Sequence, residues 1–166
     1  MSGDGLAASR VGWGFDVHRF NTKPPLVLGG VVVSEELGVS ATSDGDVLAH
    51  AVADALLGAC SLGDLGEHFP SDDPASRGAD SMALLGEVRS LASRAGWSPS
   101  HVDATVVIEA VRVAPHREAI RAGLAGALGL SLEAVSVKAT TTDGVGFVGR
   151  GEGIACVAVV TVVGRS

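Results

Sequence analysis

The chain has 166 residues, with 12 Lys and Arg against 19 Asp and Glu, a formal net charge of −7. That length suits one domain around one core, and that charge disfavours nonspecific binding to nucleic acid or to an anionic membrane, which need a basic face. A 46% hydrophobic content excludes a disordered chain, while 4% aromatic residues leave too few rings for a single-strand stacking surface.

Residues 1–10 carry Asp4 and no apolar h-region, so they read as a flexible N-terminal extension and not as a signal peptide or anchor. Residues 11–166 read as a single domain. Residues 11–20 alternate as a strand, with Trp13, Phe15 and Val17 on one face and Gly12, Gly14, Asp16 and His18 on the other. Two β-branched runs around Gly29-Gly30 predict a hairpin or bulge over 26–33. Polar residues 34–46 form a loop ending in Ser43-Asp44-Gly45-Asp46, a good helix N-terminus. The helix that follows is so apolar that most of its circumference must be buried.

Residues 63–79 read as a loop, and Asp80-Ser81 caps a second helix running to Gly96. A strand is expected over 102–111, and Pro115 suits the first turn of a third helix ending near Gly129. Strands at 134–140 and 153–163 complete the chain. The longest apolar run, Ile154 to Val163, falls far short of the ~20 residues that span a bilayer. The order β-β-α-α-β-α-β-β predicts an α+β fold, a two-layer α/β sandwich with helices on one face of a mixed sheet. Cys60 and Cys156 form no close-spaced motif and are too few for a disulfide scaffold, so a reducing, cytoplasmic setting is expected.

Asp16 and His18, at i and i+2, share one face of a strand, which by itself is compatible with a plain strand-edge ion pair. His50 lies four residues after Asp46 and four before Asp54, so all three share a helix face amid Ala, Leu and Val. Burying an imidazole between acids needs compensation, and a metal would supply it. Asp16, His18 and His50 make an O/N/N set suited to Zn²⁺ with one open position, leaving Asp46 or Asp54 to fix the imidazole tautomer. The bland alternative is a capped helix with one satisfied polar stripe. Residues 138–153, KATTTDGVGFVGRGEG, have the hydroxyls, glycines and single Arg of a phosphate cradle, or else form a Gly-rich hairpin loop. Ser43 and Cys60 lie in no nucleophile motif, and His68, His101 and His116 read as surface or capping residues.

GWGFDVHRF, SDGDVLAHAVADALLGACSLGDLGEHFP, GADS and KATTTDGVGFVGRGEGIA together resemble the 2-C-methyl-D-erythritol 2,4-cyclodiphosphate synthases of non-mevalonate isoprenoid biosynthesis, from about Val11 to Val163. The resemblance implies a homotrimer with active sites at subunit interfaces and one Zn²⁺ per subunit on Asp16, His18 and His50. It implies a cytidine diphosphate substrate whose 2-phosphate attacks the β-phosphate, releasing CMP. Thr42 and Thr141 match catalytic positions. Beside the metal ligands and Val17, the methylerythritol phosphate end would meet Thr42, Ser43, Asp64, Leu65, Gly66, Phe69, Pro70, Ser71, Asp72 and Asp73. The cytidine and diphosphate end would meet Ile108, Glu109, Ala110, Val111, Arg112, Val113 and Ala114, with Thr140, Thr141, Thr142 and Asp143, of a neighbouring subunit. Phe147 and Arg150 complete the implied substrate set.

Asp143 would hold a second ion, Mg²⁺ or Mn²⁺, with the substrate. Arg150 and Glu152 match the lining of an axial cavity that takes isoprenoid diphosphates. Three positions depart from the family: Thr42 stands where His is usual, Asp143 where Glu is usual, and Ser71 where Asp is usual. The rival readings are a metal phosphohydrolase that uses water, and a non-catalytic trimeric module binding isoprenoid diphosphate or metal.

Overall fold

The computed structural model describes residues 8–74 and 77–165. In chain order its elements are β1 (Ser9–Asn21), β2 (Leu26–Leu28), β3 (Val31–Ser34), β4 (Gly38–Val39), α1 (Val47–Cys60), α2 (Leu65–His68), α3 (Ser81–Arg94), β5 (Trp97–Val107), α4 (Arg117–Leu128), β6 (Val135–Thr140), α5 (Gly146–Gly149) and β7 (Gly153–Gly164). Five strands form one mixed sheet in the order β4-β1-β7-β5-β6, and β2 and β3 form a separate hairpin. Only β5 and β6 run parallel; the other neighbours in the large sheet are antiparallel. Helices cover one face, so the α+β reading from element order holds.

The packing of β1 decides where the site lies. Its apolar side chains point away from the core: Val11, Trp13, Phe15 and Val17 are 66%, 62%, 47% and 40% exposed. Gly12 and Gly14 face inward, against α1. A Cβ on Gly12 would sit 1.9 Å from the Ala55 carbonyl oxygen, and one on Gly14 would sit 2.0 Å from that of Ala51. Helix and strand backbones therefore touch, where Ala51, Ala55 and Ala59 of α1 meet the two glycines. The glycine-rich, alanine-rich composition has its use here: it brings the polar residues at the ends of both elements within reach of one another.

Four local readings are corrected. β1 begins at Ser9, so residues 9 and 10 belong to the sheet; residues 1–7 of the expected flexible extension lie outside the described residues. The strand expected over 102–111 runs over Trp97–Val107 instead. Ser98-Pro99-Ser100 looks like a break, but a register shift between Pro99 and His101 lets pairing with β7 continue through Trp97. At the other end the ladder stops where the Ile108 N–H donates to the Thr140 carbonyl, and the chain turns away. Third, the loops expected over 34–46 and 63–79 contain the two-residue strand β4 and the single turn α2, both too short for periodicity to reveal. Residues 138–153 are not a hairpin loop, because β5 lies between β6 and β7.

Candidate metal centre and flanking clefts

Asp16 and His18 project from the inward face of β1, and His50 from the first turn of α1. Asp46 caps that helix by accepting from the Ala49 N–H at 2.9 Å. The same carboxylate accepts from the Gly29 and Gly30 N–H groups at 2.9 and 2.8 Å, tying the β2–β3 turn to the helix start. Burial pushes the Asp46 carboxyl above the ordinary range, opposed by these three donors.

One ligand atom each from Asp16, His18 and His50 converges within 4.8 Å. Asp16 Oδ2 lies 3.2 Å from His18 Nδ1 and 3.0 Å from His50 Nδ1. Burial alone would raise the Asp16 carboxyl, but the two imidazoles more than offset it and hold the pKa at about 2. His18 Nδ1 is buried and makes no hydrogen bond. A buried ring nitrogen that faces a carboxylate without hydrogen-bond geometry is well placed to give its lone pair to a cation lying between them. The three residues therefore fit a divalent metal, as the sequence spacing predicts.

The groups behind the ligands differ from expectation. Asp46 serves the helix cap, and Asp54 accepts from the Leu65 N–H at 3.1 Å, holding α2. Neither meets the His50 ring. Instead His50 Nε2 lies 2.8 Å from Ser81 Oγ and 3.2 Å from Ser43 Oγ. Sharing a helix face with His50 was the right geometry for Asp46 and Asp54, but other elements packed against that face claim both carboxylates.

Clefts flank the triad. One of about 170 Å³ is lined by His18, Thr42, Ser43, His50, Leu65, Phe69 and Ser71 among others. A second, of about 270 Å³, is lined by Asp16, His50, Asp64, Leu65 and Gly66, with Phe15 and Asp54. So most residues expected at the methylerythritol phosphate end gather around the ligands. Pro70, Asp72 and Asp73 are exposed in the turn beyond Phe69, where the Asp73 N–H donates to the Pro70 carbonyl. A larger hollow of about 540 Å³ borders the same 40–44 segment but is lined by none of the three ligands.

The other expected residues form a separate hollow of about 210 Å³, lined by Ile108, Glu109, Val111, Arg112, Val113, Ala114, Thr140 and Thr141 with Arg117 and Ala139. Ala110 is exposed in the turn beside it. Across the sheet Val17 pairs with Ala155, Ala155 with Val107, and Val107 with Thr140. The candidate metal ligands and the threonine loop thus share one end of the sheet, three strand spacings or roughly 14 Å apart within one chain.

In that loop Asp143 adopts φ 52° and is exposed, with its Oδ1 3.5 Å from Thr141 Oγ1. The Thr142 and Gly144 N–H groups both donate to Glu109 Oε1 at 3.0 Å. Those donors hold the Glu109 carboxyl below its ordinary range. Glu109, expected among substrate contacts, is thus committed to the loop backbone. Phe147 is 38% exposed on α5, and Arg150 pairs with Glu152 at 2.7 Å.

Residues 9–163 match the profile of the YgbB family. The 2-C-methyl-D-erythritol 2,4-cyclodiphosphate synthase of Shewanella halifaxensis is 53% identical over 154 residues, 93% of this chain and 97% of that one. Among solved structures, the bifunctional IspDF of Campylobacter jejuni superposes with a TM-score of 0.94 at 37% identity; the match covers 97% of this chain and 44% of that longer one. The IspF of Plasmodium falciparum, solved as a CDP complex, gives a TM-score of 0.83 at 26% identity over 97% and 99% of the two chains. A profile spanning nearly the whole sequence, with a relative more than half identical along it, shows that this chain belongs to the YgbB family.

Proposed function

We infer that this chain converts 4-diphosphocytidyl-2-C-methyl-D-erythritol 2-phosphate to 2-C-methyl-D-erythritol 2,4-cyclodiphosphate with release of CMP, in isoprenoid biosynthesis. The observation that carries the reading is the convergence of Asp16, His18 and His50 beside clefts lined by Thr42, Ser43, Leu65 and Phe69, in a chain more than half identical to a named synthase.

The reaction is intramolecular: the 2-phosphate oxygen bonds to the β-phosphorus, and the bond from that phosphorus to the CMP oxygen breaks. The nucleophile is already tethered, so the protein's first task is to fold the substrate; well-oriented systems gain ~10⁵–10⁸ M in effective molarity. Its second is to offset repulsion between anionic phosphates and the charge that builds on the leaving CMP. Asp16, His18 and His50 would hold Zn²⁺, the metal their O/N/N set favours, and Asp143 would hold Mg²⁺ or Mn²⁺ with the substrate. Such ions, when bound, neutralise phosphate charge and polarise the reacting phosphorus. Thr42 and Thr141, which line the two hollows, would donate hydroxyl hydrogen bonds to the substrate. Ile108 to Ala114 offer the hollow for cytidine, and Glu109 organises the 142–144 backbone.

A homotrimer with active sites between subunits is supported by two features. The outer face of β1 exposes Val11, Trp13, Phe15 and Val17 together, an apolar stripe suited to contact with other copies. The two half-sites are also roughly 14 Å apart in one chain, so a neighbour's threonine loop would close the gap. Arg150 and Glu152 would then line an axial cavity open to isoprenoid diphosphates. No helix among the described residues is long and apolar enough to cross a membrane, and Cys60 and Cys156 are free and buried, which favours a cytoplasmic setting.

The test is to follow CMP release in ¹⁸O-labelled water with Zn²⁺ and Mg²⁺ present. Cyclisation yields CMP and a cyclic diphosphate free of solvent oxygen. Solvent oxygen in the product would identify a phosphohydrolase, and absence of CMP release would leave only a binding module.

A further inference from the structure

We propose that Ser81 and Asp44 are positioning residues of the metal centre, fixing His50 as an Nδ1 ligand by taking up its Nε2–H; this rests on the metal reading above.

Ser81 opens α3, 31 residues from His50 in sequence, and is 1% exposed. Its hydroxyl lies 2.8 Å from His50 Nε2 and in a very short contact with Asp44 Oδ1. A hydroxyl has one proton, and a carboxylate can only accept. The Ser81 proton therefore goes to Asp44, which leaves Ser81 Oγ as the acceptor for His50 Nε2–H. A neutral imidazole has one N–H, so Nδ1 must carry a lone pair. Nδ1 lies 3.0 Å from Asp16 Oδ2, a contact that needs either a second ring proton or a cation between the two atoms, and a metal bound there takes that proton's place.

Asp44 is itself held in place. Its Oδ2 accepts from the Ser81 N–H and its Oδ1 from the Asp46 N–H, both at 3.1 Å. The Asp44 N–H donates to the Ala79 carbonyl at 3.1 Å, and the Gly78 N–H to the Thr42 carbonyl at 2.8 Å. The start of α3 is thus joined to the loop that begins α1, with the Asp44–Ser81–His50 chain running through the joint. A carboxylate behind a hydroxyl behind an imidazole also makes the free ring nitrogen a better donor to a metal.

The experiment compares the full chain with Ser81→Ala and Asp44→Asn. It reads zinc affinity by competition with a chromophoric chelator, thermal unfolding of the zinc-free protein, and ¹⁵N shifts of the His50 ring with zinc bound. Ser81→Ala should weaken zinc binding by about 10–100-fold, the usual effect of losing a group behind a ligand. Asp44→Asn should weaken it less, since the amide carbonyl can still accept from Ser81. The unmodified chain should show a protonated Nε2 and a metal-bound Nδ1.

A merely structural role would lower the unfolding temperature of the zinc-free variants and leave zinc affinity unchanged, and that result overturns the proposal. Should Ser81→Ala fail to fold, Asp44→Asn and the ring spectrum of the unmodified chain still decide: a zinc-bound Nε2 with a protonated Nδ1 overturns it. Absence of zinc binding by the unmodified chain would remove the metal reading itself, whereas equal binding by the unmodified chain and both variants removes only this inference.

Discussion

The seam between β1 and α1 and the connection between β6 and β7 both present residues suited to phosphate chemistry, and they hold them by opposite means. At the seam, Gly12 and Gly14 let backbones touch, and the positions of Asp16, His18 and His50 follow from the packing of two long elements. The connection is exposed, and Glu109 is what fastens its 142–144 backbone, through two N–H groups. The first region is placed by the core and cannot move without it. The second is placed by a few polar contacts and can adjust to a substrate or a neighbouring subunit. A site drawing on both would combine a rigid metal pole with an adaptable rim.

Breaking the seam should have the largest effect. Gly14→Ala forces a Cβ into the Ala51 carbonyl, so α1 must shift; the expected loss is about 1–3 kcal/mol or more of stability in urea unfolding, with zinc lost as well. Normal stability and full zinc content would show that the seam is looser than its geometry indicates.

Removing a ligand should instead spare the fold. Asp16→Ala and His50→Ala are expected to lower zinc occupancy and turnover together, by more than the roughly 10–100-fold typical of losing a group behind the ligands, while the assembly persists. Metal analysis and sizing of the same samples check this.

Combining the regions across subunits sharpens the comparison. An Asp16→Ala chain and a Thr141→Ala chain, each inactive alone, should regain part of their activity when dissociated and reassociated together. Mixed assemblies without recovery would place seam and rim of one site in a single chain.

At the rim, Asp143→Asn should reduce turnover and Mg²⁺ response far more than zinc binding, and Asp143→Glu should be tolerated. Titrating Mg²⁺ with each variant tests it, and a wild-type Mg²⁺ response from the Asn variant would count against a metal role for Asp143.

The smallest effect concerns Glu109. Its folded-state pKa lies below the ordinary value, so its hold on the loop is complete above that ordinary value and is lost as pH falls through the lowered one. Amide protection at Thr142 and Gly144, relative to the intrinsic exchange rate at each pH, should fall in acid, and Glu109→Gln should show the lowered protection already at neutral pH.

The features legible in the sequence are those set within one element. Alternation put Asp16 and His18 on one face of β1, and Ser43 to Asp46 marked the start of α1, because strand period and helix caps depend on neighbours only a few residues away. Gly96 and Gly129 ended α3 and α4 for the same reason. What required the tertiary structure was every choice among partners. Hydrophobicity alone would bury Trp13 and Phe15, yet the glycine face of β1 turns inward, since only there can α1 approach to backbone contact. Helical spacing offered Asp46 and Asp54 to His50, but the β2–β3 turn and α2 claim those carboxylates, and Ser81, arriving from α3, meets the ring instead. The Thr140 loop likewise looked like a hairpin until β5 was inserted between β6 and β7. Local periodicity fixes which side chains share a face; which face meets which is decided by long-range packing, where steric room and competing donors select one arrangement from several that the sequence alone leaves equivalent.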